Sequence, residues 1–278
     1  MIVVVGDLVA DLVVLGLGPL ERATDNTAQV TLTRGGSAAN VASAVAAGGG
    51  RARFIGRVGG DLLGRMLTEE LERAGVDVRV QRSGRTGAIV IVVDDDGERT
   101  MITDRAAAAE LEALDASWLE GARWLHVPLY GMLAPASRTA IAHAVAALPG
   151  DVPVSVDLSS TSTLRELGAG AVAAAVDDLR PSVVFANADE AAWIDDADVA
   201  IPGTFVVKRG AEPVLVREGD HVEMVPVPPV DGIVDTTGAG DAFAAGYILA
   251  AVEGAAAPEA VRAGAEGARA ALVRAGAL

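Results

Sequence analysis

The chain contains no cysteine, so disulfides and thiolate metal sites are excluded at the outset. It contains a single lysine, Lys208, and the rest of its side-chain cations besides histidine are arginine. Those cations are outnumbered: 22 Lys and Arg stand against 38 Asp and Glu, a formal charge of −16. A field of that sign repels nucleic acid and anionic lipid, so neither is expected as a partner. It also means that an anionic ligand needs local help from backbone amides or placed cations. No apolar run reaches the ~18–20 residues of a membrane span, because Gly, Asp or Arg interrupts each one. The opening MIVVVGDLVADLVV lacks the basic region and small-residue cleavage site of a secretory leader. A soluble, cytoplasmic protein is expected. The P-loop pattern Gly-x-x-x-x-Gly-Lys-[Ser/Thr] is absent, and Lys208 stands outside any such context.

What is present is an alternation. About half of the 278 residues are hydrophobic, enough for the core of one large domain, taken here as 1–278. Apolar runs of strand length occur at Ile2–Val5, Arg53–Val58, Ala88–Val93, Trp124–Val127, Val152–Asp157, Ser182–Ala186 and Phe205–Lys208. Between them lie alanine-rich stretches of helix length: Ser37–Ala47, Leu62–Ala74, Pro135–Leu148, Thr163–Val176, Gly240–Val252 and Pro258–Ala275. Continuous Val/Ile runs predict strands buried on both faces, and their alternation with helices predicts a doubly wound, mostly parallel α/β sheet flanked by helices. Two regions break the rhythm, Leu12–Thr33 and Val78–Thr103. The second reads as a hairpin around Asp94-Asp95-Asp96-Gly97. Periodicity alone leaves two readings open, a small β appendage or ordinary edge strands.

The strongest chemical signal is Asp235-Thr236-Thr237-Gly238-Ala239-Gly240-Asp241-Ala242-Phe243. A loop of two glycines and an alanine runs directly into an apolar helix. Amides at a helix start point outward, the dipole adds positive potential, and small residues admit a phosphate. Asp241 then falls in the first turn, beside the anion. A lone Asp there is explained by helix-start preference; the glycines around it are not. The loop is a poor dinucleotide fingerprint, because Phe243 stands where the third small residue belongs. A second signal is Gly35-Gly36-Ser37-Ala38-Ala39-Asn40-Val41-Ala42, which reads either as a ligand-contacting helix start or as a plain one capped by Ser37.

These two motifs, in this order and separation, resemble the two signatures of the PfkB, or ribokinase-like, carbohydrate kinases. The first is continued by Gly48–Gly50 and by the run from Gly56 to Gly64, and the likeness covers nearly the whole chain. The resemblance implies a kinase using ATP and Mg2+ on a small sugar, with the irregular segments as a β lid over the pocket. It implies Asp241 as catalytic base and the amides of Gly238, Ala239 and Gly240 as the anion hole. Asp11, in the run from Gly6 and Asp7, would bind substrate hydroxyls, and Gly35, Gly36 and Asn40 would floor the pocket. Asn187 and Glu190 would help place magnesium and phosphate, Glu190 indirectly, with Lys208-Arg209-Gly210 over the nucleotide. Asp235 and Thr237 would help hold a monovalent cation such as K+. The closing Ala271–Ala277 matches the adjoining segment, and lids of this kind pair between subunits, so a homodimer is implied.

Three departures bear on the substrate. Pro213 stands where the nucleotide loop often has a second glycine. Arg105 and the four alanines after it replace a segment that often carries Gly-Ala-Asn. Asp157 is followed by Leu-Ser-Ser, not the usual Pro and Arg. If Arg105 faces the pocket, it suits a substrate with a carboxylate or phosphate; otherwise it is a surface residue of the lid. A nucleoside kinase of the same fold and a non-catalytic sugar sensor are the alternatives. The lid segments contain no Phe, Tyr or Trp for stacking a nucleobase, which favours a sugar. Retention of Asp241 disfavours the sensor. The helix dipole and neighbouring amides predict an Asp241 that stays ionised near neutral pH.

Overall fold

The computed structural model describes residues 1–94 and 99–273. The chain opens with β1 (Ile2–Val5), β2 (Val9–Leu15), β3 (Gln29–Gly35), α1 (Ser37–Ala47), β4 (Ala52–Val58) and α2 (Leu62–Arg73). It continues with β5 (Asp77–Arg82), β6 (Thr86–Val93), β7 (Arg99–Ala106), β8 (Trp124–Pro128), α3 (Pro135–Ala146) and β9 (Val154–Asp157). Then follow α4 (Thr161–Leu167), α5 (Ala169–Leu179), β10 (Val183–Asn187), α6 (Ala188–Asp196) and β11 (Thr204–Arg209). The last elements are β12 (Glu212–Glu218), β13 (His221–Val225), α7 (Ala239–Val252) and α8 (Ala257–Leu272).

Among the described residues these build a nine-stranded sheet, β13-β12-β11-β10-β9-β8-β1-β4-β5, and a separate four-stranded lid sheet, β3-β2-β6-β7. From β11 to β5 every neighbouring pair is parallel; β12 and β13 add an antiparallel edge. Along β1, Ile2 and Val4 enter one core layer with Phe54, Phe185 and Phe243, while Val3 and Val5 enter the other with Ile141, Leu164 and Phe205. That two-residue alternation, apolar on both sides, is why the parallel strands read as unbroken hydrophobic runs. No helix among the described residues is long and apolar enough to cross a membrane.

Several expectations need correction. Residues 78–82 do not join the lid: β5 pairs with β4 at the edge of the main sheet. The first lid strand begins earlier than the break in rhythm, at Val9, because Val9 and Ala10 are fully buried and read as core, and β6 begins two residues before the expected Ala88. The helix expected over Thr163–Val176 is two helices, separated at Gly168, whose φ of 77° interrupts α-geometry. Helix α6 and the hairpin β12–β13 were not expected, since α6 is short and polar and the hairpin strands carry Pro213 and several charges. Of the turn Asp94–Gly97, Asp95–Gly97 lie outside the described residues, as does the closing segment from Arg274 onward.

Open parallel sheets place ligands beyond the carboxyl ends of their strands. Asp7 lies two residues beyond that end of β1, Asp157 and Asn187 close β9 and β10, and Lys208 falls there in β11. The lid stands over the same edge. On β7, Arg99, Met101, Thr103 and Arg105 alternate onto one lid face, and the register places Asp11 and Ile89 beside Thr103 on that face.

Candidate active site

The two glycine-rich motifs meet. Helix α1 starts at Ser37 and α7 at Ala239. Ser37 does not cap its helix. Its hydroxyl donates to Asp241 Oδ1 at 2.6 Å, and Asn40 Nδ2 donates to Asp241 Oδ2 at 3.0 Å. Asn40 is itself held by Arg34, whose Nη1 donates to Asn40 Oδ1 at 3.1 Å. The start of α1 explains its glycines. Gly36 has φ of 100°, and a Cβ there would fall 2.5 Å from the Asp7 carbonyl oxygen. A Cβ on Gly35 would collide with the Asp11 carboxylate. Both glycines let α1 begin against the β1–β2 turn.

Asp241 is not the permanently ionised carboxylate expected from the helix dipole. Burial pushes its pKa up to about 7; the Ser37 and Asn40 hydrogen bonds pull down and Asp157 pushes up, so desolvation outweighs its donors. Its helix follows Gly238, which takes the left-handed conformation (φ 73°). The Ala239 amide turns back to Thr236 O at 3.3 Å. The amides of Gly240 and Asp241 come next, in the first turn, where helix geometry supplies no internal acceptor.

A cation stands beside that turn. Lys208 Nζ pairs with Asp157 Oδ2 at 2.8 Å and lies 3.3 Å from the position of a Cβ on Gly240. Burial lowers the Lys208 pKa, but Asp157 and its hydrogen bond more than offset this, so the amine is held charged. Lys208 therefore stands at the start of α7 as well as in β11. Asn187 and Glu190 form a capping box at α6: Asn187 Oδ1 accepts from the Glu190 amide at 2.9 Å, and Glu190 Oε2 accepts from the Asn187 amide at 2.8 Å. Glu190 is buried, and desolvation raises its pKa. Next to it an open cleft of about 520 Å³ is lined by Asn187, Ala188, Asp189, Lys208, Arg209, Gly210 and Glu212.

On the lid side Asp11 is buried, and its Oδ1 has no hydrogen-bond partner among the described residues. Desolvation, then Asp7, pushes its pKa up to about 6. Asp7 accepts from Arg105 Nη1 at 2.7 Å and from the Ala38 amide at 3.3 Å. Arg105 is not on the lid surface: it lies over the Tyr130 ring, 4.0 Å from the centroid, on the Asp11 side of the sheet. Asp235 and Thr237 lie apart from this group, just before α7, and hydrogen-bond to Arg99 of the lid.

Sequence reasoning did not place Asp157, Arg99 or Tyr130 in the site, and it gave Ser37 a role only as the cap in one of two open readings of α1. An acidic residue closing a parallel strand was a usable signal for Asp157. Nothing local marks Arg99, whose partners lie more than a hundred residues away.

A doubly wound sheet, a lid and two helix starts thus converge on one carboxylate. The family model for pfkB carbohydrate kinases matches residues 1–278, and the chain belongs to that family. An ATP-dependent ribose-1-phosphate kinase of Halopiger xanaduensis is 35% identical over 257 residues, spanning 85% of this chain and 82% of the relative. A fructokinase of Klebsiella pneumoniae is 32% identical over 269 residues, spanning 88% and 82%. The solved ribokinase of Thermotoga maritima superposes with a TM-score of 0.82 at 24% identity, over 100% of this chain and 94% of that one.

Proposed function

We propose that the chain transfers the γ-phosphoryl group of ATP to a hydroxyl of a small sugar or sugar acid, with Asp241 as general base. The observation that carries this reading is the double hold on Asp241 by Ser37 and Asn40 at the start of α7. The substrate hydroxyl docks between the two helix starts, its neighbouring hydroxyls donating to the unpartnered Oδ1 of Asp11. Its proton passes to the Asp241 carboxylate as its oxygen bonds to the γ-phosphorus, and the bond to the β-phosphate oxygen breaks, releasing ADP. The first-turn amides of α7 and the Lys208 ammonium balance charge on the moving group. The cleft beside Asn187, Lys208 and Gly210 takes the nucleotide.

Magnesium belongs with the ATP phosphates in this reading. Both Glu190 oxygens accept from Asn187, and the Asp157 oxygens accept from the Ser159 amide and from Lys208. Among the described residues no group of three His, Asp or Glu is arranged to hold a metal. Mg2+ keeps several waters in such sites, so these carboxylates would meet it through its waters. An ATP-consumption screen over sugars, sugar acids, sugar phosphates and nucleosides tests the proposal. Turnover on a sugar supports it; turnover on nucleosides alone, or tight sugar binding without turnover, contradicts it.

The lid also suits a homodimer. On the face away from Asp11, Leu32, Leu12, Val90 and Ile102 align across the four strands, with Val30 and Val14 beside them. Leu32 is 47%, Val30 59% and Ile102 64% exposed, an apolar face that a second lid would cover. Sedimentation of wild type against Ile102→Asp checks this, the substitution being expected to yield monomers.

A further inference from the structure

Arg99 opens β7 at the tip of the lid hairpin, opposite Val93. Its guanidinium crosses to the loop that leads into α7 and holds three side-chain oxygens there. Nη1 donates to Thr237 Oγ1 at 2.5 Å; Nη2 donates to Asp235 Oδ1 at 2.8 Å and to Thr236 Oγ1 at 2.6 Å. Asp235 Oδ1 also accepts from the amide and the hydroxyl of Thr237, at 2.8 and 2.7 Å. That one oxygen therefore takes three donors. Arg99 and Asp235 are each 25% exposed, so the pair is largely sheltered from water.

The resemblance assigns Asp235 and Thr237 to a bound monovalent metal ion. The donor set fits such an ion poorly. Asp235 Oδ1 and Thr237 Oγ1 are already spent on a guanidinium, which carries the same single charge and, unlike Lys, engages several acceptors through one rigid fork. A metal ion entering there would have to displace a cation tethered to the chain.

We infer that Arg99 is the built-in cation of this loop: a positioning residue, carried by the lid, that neutralises Asp235 and fixes residues 235–237 so that the first turn of α7 faces the phosphoryl group. The inference rests on the kinase reading for its consequence but not for its geometry. Asp235 is three residues from Gly238, so its uncompensated charge would oppose the anion that the next turn must hold. The ordinary solution, a diffusible ion, works in any lid position. A guanidinium on the first residue of β7 reaches the loop only when that end of β7 lies over it, so the lid delivers the charge that the loop needs.

The test compares wild type, Arg99→Ala and Arg99→Lys in potassium chloride and in tetramethylammonium chloride at equal ionic strength. Two readouts are taken: kcat/KM with the best substrate of the screen, and melting temperature without substrate. Wild type is expected to change less than about twofold between the salts, while Arg99→Ala loses roughly tenfold in tetramethylammonium and regains most of it in potassium, tenfold being the worth of one charge-assisted contact. Arg99→Lys, which keeps the charge, should hold an intermediate rate in both salts. Potassium should raise the melting temperature of Arg99→Ala and leave wild type unmoved. Strong potassium activation of wild type overturns the inference, as does an Arg99→Ala defect that potassium does not relieve. Should no sugar be turned over, the kinase reading fails, and the melting data still decide the role of Arg99: potassium stabilising wild type as much as the variant refutes it.

Discussion

The hydroxyl of Ser37 donates to the carboxylate of Asp241 at 2.6 Å across 204 residues of sequence. This bond, with that from Asn40, joins the two glycine-rich motifs into one site and partly offsets the desolvation of Asp241. Removing it shifts the balance. Ser37→Ala withdraws one donor from the ionised form, so the Asp241 pKa should climb by about one unit, the equivalent of ~1.4 kcal/mol. The acid limb of kcat/KM should then move upward from about 7, with a smaller loss at high pH than at neutral pH. A pH–rate profile of the variant reads this directly; an unmoved limb would mean that Ser37 does not govern the base.

Gly36 should tolerate no side chain. At φ of 100°, with a Cβ placed 2.5 Å from the Asp7 carbonyl, alanine must strain the backbone and push α1 from β1. Gly36→Ala should cost about 3 kcal/mol or more, seen as a melting temperature lower by several degrees, and should cut turnover because α1 carries Ser37 and Asn40. A variant as stable and active as wild type would show that the approach is not tight.

Arg105 shares its charge with Asp7 while facing the Asp11 side of the lid. A carboxylate or phosphate on the substrate would compete with Asp7 for that guanidinium. Arg105→Ala should therefore raise KM about tenfold or more for acidic substrates and leave neutral sugars nearly unchanged, one bidentate contact being worth at least that. Equal KM changes for both classes would assign Arg105 to holding Asp7 alone.

The parallel sheet and the helices at the site were legible because Val/Ile runs and alanine-rich stretches carry clean periods. The lid was half legible. As the edge strand of the main sheet, β5 (Asp77–Arg82) alternates polar and apolar residues, so periodicity could not separate it from the lid strands. Gly238, Gly240, Asp241 and Asn40 were readable as a local pattern of small residues at helix starts. The contacts that organise them were not, since Ser37–Asp241, Lys208–Asp157 and Arg99–Asp235 each join distant segments. The protonation of Asp241 was misjudged for the same reason: the helix dipole is local and visible in sequence, whereas burial depends on what packs around it.

Asp241→Asn offers the most direct test of the whole account. The amide keeps the shape of the carboxylate but cannot accept the hydroxyl proton. With the best substrate, kcat should fall by roughly 10²–10⁴, the worth of a positioned general base, while calorimetric ATP affinity stays near wild type. Melting adds a second reading. The carboxyl pKa is raised on folding, to about 7 from 3.8, so its contribution to stability is greatest at low pH and is lost as pH rises through 7. The variant lacks this titration and should gain on wild type in melting temperature between pH 5 and pH 8, values chosen on either side of about 7. A large loss of kcat with retained ATP binding is the predicted result; turnover close to wild type would place the base elsewhere and contradict the mechanism.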